Sequence, residues 1–259
     1  MLLSPNIRTN TRGLQFWYRF GDGTTNTLDS VKKGLTQTSP AVVSGGAIPI
    51  YGLPGPAFKF PAAGKITTSQ NVGNLGTIMT ACCWFNPAVT TRCDLMTCWV
   101  DGGTSGDRFN LLYGLTSSKP EFFVSSGSAS NTSTPSSIAL TIGTWYHVAG
   151  VYDGATSKIY VNGVLGASSN VVTTLGTGTK AMLIGNNLNG DGQTNGSIAN
   201  ARLYDRALMP GEILAIYSEP FNRDLIALAK GAGAAPSTVV FRRTLSELGT
   251  RGGSRQVHA

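Results

Sequence analysis

WYHVAGVYDGATSKIYVNGVLGA, residues 145–167, sets an Asn-Gly pair between two apolar runs. Asn162-Gly163 suits a two-residue type I′ turn, which needs positive φ at both positions and joins twisted strands without splaying them. Upstream, 158–161 alternates polar and apolar side chains, the pattern of a half-buried strand, and 164–167 supplies the return strand. Further upstream, 145–152 is apolar at most positions, as a strand buried on both faces would be, and Asp153-Gly154 closes it. Three consecutive antiparallel strands are expected here.

The same grammar extends in both directions. Segments 14–20, 57–60, 78–85, 95–100, 109–115, 121–125, 181–185 and 198–204 are strand candidates, each bounded by Gly, Pro, Asp or Asn. Segment 125–137 is polar throughout and predicts an exposed loop; 186–196 is a Gly/Asn-rich loop. No repeat of fixed period is present. Helix is confined to the end: 209–218, with Pro210 suited to the first turn, and 223–230, capped by Asn222 and closed by Gly231. Many short strands without alternating helices predict an all-β, antiparallel two-sheet sandwich over residues 1–221. Residues 222–259 then form a basic C-terminal extension.

Charge supports that division. Of the net +7, residues 1–221 hold 14 Lys+Arg against 11 Asp+Glu, and residues 222–259 hold 6 against 2. A basic tail suits an acidic protein surface. Its cations are spread out and lack interleaved aromatics, which argues against nucleic acid. Residues 1–14 contain Pro5, Asn6, Arg8, Asn10 and Arg12 and no apolar run, so neither a signal peptide nor a membrane span is expected there. The cysteines, Cys82, Cys83, Cys93 and Cys98, lack zinc-site spacing, and the adjacent pair must point to opposite faces of a strand. Cys82 and Cys83 are expected to be buried and inert.

Several segments also resemble a known family. Trp145, His147, Val148, Ala149, Val151, Tyr152, Asp153 and Gly154, then Ile159, Tyr160, Val161, Asn162 and Gly163, resemble the central hairpin of laminin-G-like and pentraxin-like domains of the concanavalin-A-like superfamily. Matches continue in order through Phe16, Phe20 and Asp29, then Ala57, Phe58 and Phe60, and Thr80, Ala81, Trp84 and Phe85. Ile184, Gly185, Gly196, Ile198, Arg202, Tyr204, Ala207, Leu208, Glu212, Ile213 and Tyr217 complete the likeness, which covers residues 14–218. Met209 departs from it, standing where the family often has a capping Ser. The resemblance implies a concanavalin-A-like jelly roll ending in a short helix. With the exit at 217–221 and a private tail, it extends to virion proteins of tailed bacteriophages. It implies a capsid decoration or fibre subunit, made in the host cytoplasm, located in the virion and homo-oligomeric within an assembly.

Superfamily members include glycan hydrolases, whose carboxylates occupy alternate positions of one strand. Here no two acidic residues lie within four positions of each other, so no enzyme is expected. His147 falls on a predicted core strand in a scaffolding role. Asn187, Asn189 and Asp191, in a loop with Gly190 and Gly192, offer oxygen ligands of the kind Ca²⁺ takes. One carboxylate and no closing Glu make a Gly/Asn turn the better reading, with Asp191 the one Ca²⁺ candidate and no cofactor expected. Host-surface glycans would be met by those three residues together with Trp99 and Asp107, at the rim loops. Attachment to other virion proteins falls to the tail, through Leu225, Ile226 and Leu228 on an amphipathic helix, Phe241 on an added strand, and Arg242 and Arg243.

Overall fold

The computed structural model describes residues 13–18, 35–38, 42–48, 53–60, 64–71, 76–99, 107–127, 131–171, 175–176 and 181–218. Among these, the strands are β1 (Leu14–Tyr18), β2 (Leu35–Thr38), β3 (Val42–Ile48), β4 (Leu53–Phe60), β5 (Lys65–Asn71), β6 (Met79–Pro87), β7 (Cys93–Cys98) and β8 (Phe109–Tyr113). They continue through β9 (Pro120–Ser125), β10 (Asn131–Pro135), β11 (Tyr146–Tyr152), β12 (Thr156–Val161), β13 (Val164–Asn170), β14 (Ala181–Ile184) and β15 (Gly196–Tyr204), before helix α1 (Pro210–Ser218). The tail residues Leu225, Ile226, Leu228, Phe241, Arg242 and Arg243 and the second predicted helix lie outside the described residues.

Two antiparallel sheets pack face to face. The first runs β13-β12-β11-β6-β15-β4-β3, with β1 also on β15; the second runs β10-β9-β8-β7-β14-β5-β2. One edge of β15 carries two partners end to end, β4 along 196–198 and β1 along 201–204. Between them Asn200 takes φ 53, where the register of β15 on β6 slips. This is the all-β jelly-roll sandwich that the sequence predicts.

Alternation along each strand builds the core. Met79, Ala81, Cys83 and Phe85 of β6, Val148 of β11 and Ile198 and Leu203 of β15 meet Leu111, Tyr113, Phe122 and Val124 from the other sheet. Gly150 is needed at its place in β11, because a Cβ there would lie 2.3 Å from the Phe122 ring. The opposite face of β6 points outward and is sealed by α1. Cys82, Ala149, Val151, Tyr160 and Tyr204 form a second cluster with Ile213 and Ile216 of the helix. That third layer explains why 145–152 reads as apolar on both faces. Cys83 and Cys82 point to opposite faces as expected, and burial pushes the Cys82 thiol up to about 12 and raises Cys83 as well.

The turn signals hold. Asn162 and Gly163 take φ 50 and 80 at the tip joining β12 to β13. The Asn162 side chain accepts from the backbone N–H of His147 at 2.8 Å, which ties the tip back to β11. At the start of α1, Glu212 supplies the cap that Met209 lacks: its Oε2 accepts from the Met209 N–H at 2.9 Å, while Arg206 grips both its oxygens at 2.7 and 2.8 Å.

One expectation fails. Segment 125–137 is not all loop: β10 lies within it and pairs with β9 from Asn131↔Ser125 to Pro135↔Glu121. NTSTP has no apolar alternation because it is an edge strand, held by backbone hydrogen bonds rather than by a buried face. Strands β2, β3 and β5 were also unread in the sequence: β2 and β5 are mostly polar, and Ser44-Gly45-Gly46 interrupts the apolar residues of β3.

Candidate functional site on the outer face of the second sheet

Loop 186–195 joins β14 to β15 and lies along β7. Leu188 N–H donates to Trp99 O at 3.4 Å beyond one end of β7, and Gly192 O accepts from Asp94 N–H at 2.8 Å at the other. Thr194 strengthens the second anchor, its hydroxyl donating to Asp94 O at 2.9 Å and its N–H to Gly185 O at 2.9 Å.

Asn187 organises the loop. Fully buried, it accepts from the N–H groups of Gly190 at 2.8 Å and Asp191 at 3.3 Å, and its amide donates to the Asp191 carboxylate. Gly190 takes φ +86 to allow the turn. Gly192 presses on β7 so closely that a Cβ would fall 1.9 Å from Asp94 Oδ2. Arg92 holds the buried Asp94 carboxylate from the other side with two bonds of 2.9 Å. Asn187 and Asp191 are thus used within the turn, and Asn189 is exposed. Among the described residues no three His, Cys, Asp or Glu side chains gather as a metal site.

On this sheet one row of side chains points away from the core. Strand register sets it out as Leu183, Thr97, Asn110, Phe123 and Ser133, on β14, β7, β8, β9 and β10. The next row holds Asp94, Leu112 and Glu121. Thr97 and Asn110 are 0% and 1% exposed, and neither the Thr97 hydroxyl nor either Asn110 amide atom has a hydrogen-bond partner among the described residues. Trp99 stands edge-on to Phe123, ring centroids 5.8 Å apart. Trp99 itself is only 6% exposed, and Asp107 is buried where β8 begins, beside the Arg108 N–H that bonds to Cys98 O.

The structure therefore brings Asn187, Asn189 and Asp191 onto the strand that leads to Trp99, with Asp107 across the strand end. Sequence reading missed Thr97 and Asn110. The alternation Phe109-Asn110-Leu111 does place Asn110 on the outer face, but a polar residue facing outward reads as solvated unless something is known to cover it.

His147 lies on the opposite side of the molecule, on the outer face of the first sheet. It packs against Trp84 at 5.8 Å and Tyr217 of α1 at 6.4 Å. Burial first, and Arg202 second, lower its pKa to about 3. It is a core histidine.

Two antiparallel sheets packed face to face define a lectin-like β-sandwich. Residues 60–214 match the laminin-G model of the Concanavalin A-like lectin/glucanases superfamily, and the chain belongs to that family. Among solved structures it is similar to domain 4 of AbnA, a GH43 extracellular arabinanase from Geobacillus stearothermophilus in complex with arabinotriose. The TM-score is 0.61 at 20% identity, over 79% of this chain and 98% of that one. The binding domain of botulinum neurotoxin DC in complex with SialylT gives a TM-score of 0.60 at 15% identity, over 81% of this chain and 52% of the toxin domain. The botulinum neurotoxin type C structure described with two ganglioside molecules gives 0.58 at 13%, over 80% and 51%. The chain thus spans about half the length of the toxin domains. No curated protein matches it.

Proposed function

We propose that this chain is a non-enzymatic virion protein of a bacteriophage, a capsid decoration or fibre subunit. In this reading it displays a lectin-like sandwich toward host-surface saccharides and attaches through residues 222–259. The observation that carries the non-enzymatic part is the engagement of the carboxylates. Asp94 and Glu121 share one face on strands two apart, roughly 9–10 Å by strand spacing, a span that an inverting glycosidase could use. Every oxygen of the pair is nevertheless held: Asp94 by Arg92, and Glu121 by the Thr116 N–H at 2.9 Å and the Ser133 hydroxyl at 3.1 Å. A general acid needs a proton and a free approach to the glycosidic oxygen, and neither carboxylate offers one.

The attachment role is supported by the concentration of basic charge after residue 221 and by the phage-like exit at 217–221. A free carbohydrate-binding module is the competing reading. Full-length protein and a form lacking 222–259 separate them. Recovery of only the full-length chain on particles supports the virion role; glycan binding by both forms, with neither on particles, supports the free module. Turnover of any polysaccharide, lost on Glu121→Gln, would sink both.

A further inference from the structure

We propose that the sandwich docks by one end: the end at which α1 stops binds a protein partner that presents an apolar patch flanked by carboxylates. The proposal rests on the attachment reading above and adds the face, the partner's chemistry and the direction in which the module points.

Hydrogen bonds join the turns at that end. Gly143 N–H donates to Pro87 O at 2.8 Å, Leu140 N–H to Ser118 O at 2.7 Å and Ser137 N–H to Gly166 O at 3.1 Å. Loop 136–145 is thereby tied to β6, to turn 114–119 and to β13. The hairpin tip joins β11 through Asn162 N–H to His147 O at 2.8 Å. Helix α1 ends beside them: Tyr217 stacks on Trp84, and a Cβ on Gly163 would lie 2.8 Å from Leu214 Cδ1. Seven large apolar side chains are exposed among the described residues, and five stand at this end: Leu115, Ile142, Val164, Leu165 and Leu214. The other two lie toward the opposite end, Leu188 by Trp99 and Met209 after Leu208, whose N–H bonds to Thr80. Single exposed apolar side chains are ordinary, but a gathering at one end marks a contact surface.

Charge narrows the partner. Segments 114–119, 136–145, 162–165 and 214–218 contain no carboxylate and one cation, the half-buried Lys119. Exposed Lys59 stands in the same row as Asn86, across β15, and the Asn86 amide donates to Gly143 O at 3.1 Å. The carboxylates closest along the strands and loops are engaged. Glu121 is buried and accepts from the Thr116 N–H, Asp94 is buried and held by Arg92, and Asp191 accepts from the Asn187 amide. Exposed Asp153 lies at the opposite end, in the turn from β11 to β12.

The occupant follows from where the chain continues. Helix α1 stops at Ser218 on this end, and residues 222–259 carry 6 Lys+Arg against 2 Asp+Glu. A partner seated on the apolar end therefore also lies where the basic segment sets out. The surface that suits both is apolar at its centre and acidic at its edge. A second copy meeting the same end would set lysine against lysine and bring two basic segments together, which like-charge repulsion disfavours.

The test titrates the full chain onto phage particles assembled without it, with sedimentation of the free protein alongside. Wild type is expected to bind the particles and to sediment as a monomer. Leu165→Glu combined with Leu214→Glu should weaken binding at least about 30-fold and Ile142→Glu about 5-fold, with melting temperatures close to wild type. Met209→Glu, at the opposite end, should bind as wild type. Lys119→Glu should weaken binding about 3-fold in dilute buffer and leave it unchanged at about 0.5 M salt. Undiminished binding by the double variant and by Ile142→Glu overturns the docking end and leaves the virion reading standing. An equal loss in Met209→Glu overturns the direction. A wild-type dimer that the double variant abolishes overturns the assigned partner in favour of a second copy. Melting several degrees lower in the double variant removes Leu165 and Leu214 from the surface, and Ile142→Glu then decides alone. Absence of wild-type binding overturns both readings.

Discussion

On the outer face of the first sheet, Cys82, Ala149, Val151, Tyr160 and Tyr204 lie under Ile213 and Ile216 of α1. On that of the second, Asp94, Thr97, Asn110 and Glu121 lie as deeply buried, and Gly192 of loop 186–195 packs against Asp94. Both faces exclude water, yet by different physics. The first is covered by apolar area, which stabilises the fold directly at about 25 cal/mol per Å² removed from water. The second buries polar groups beside a loop pinned along β7 with backbone hydrogen bonds, and such bonds contribute little net stability.

That contrast can be broken most strongly at Trp84. Its ring is fully buried and stacks on Tyr217 of α1 with centroids 5.6 Å apart. Trp84→Ala should cost about 3–5 kcal/mol, visible as a large fall in melting temperature and undocking of α1. A loss under about 1 kcal/mol would mean that the helix is not the seal described.

A pH series sharpens the same point. The folded His147 pKa of about 3 lies below the ordinary value of 6.5, because burial and then Arg202 disfavour the charged ring. In the window between, the unfolded chain binds the extra proton. Stability from this group is therefore complete above about pH 6.5 and is lost as pH falls toward about 3, at up to about 1.4 kcal/mol per unit. Denaturant melts between those limits should show the slope, and His147→Phe should flatten it. An unchanged acid slope in that variant would assign the sensitivity elsewhere.

The smallest effect is expected on the second face. Gly192→Ala places a methyl group against the Asp94 carboxylate, and the cost is about 1–3 kcal/mol at most, because a loop can shift where a strand cannot. Hydrogen exchange should rise at Leu188 and stay unchanged in β11. A rise throughout the sandwich would show that the loop is part of the core rather than a segment anchored at its edge.

Much of the fold was legible locally. Asn162-Gly163, the apolar run of β11 and the Pro210 start of α1 each depend on dihedrals or periodicities that a short stretch specifies by itself. Strand β10 was not legible, since NTSTP owes its conformation to the edge of β9 and not to its own pattern. The candidate site was half legible. Asn187, Asn189 and Asp191 announce a turn, and Trp99 a buried aromatic, but nothing in either segment says that the loop would reach back along β7.

The sequence by itself therefore determined the sandwich, its central hairpin and its closing helix, because alternation and turn chemistry act over a few residues. Only the tertiary structure decided that Thr97 and Asn110 would be buried side by side without hydrogen-bond partners among the described residues. The dielectric around a polar side chain is set by what folds over it, not by its neighbours in sequence.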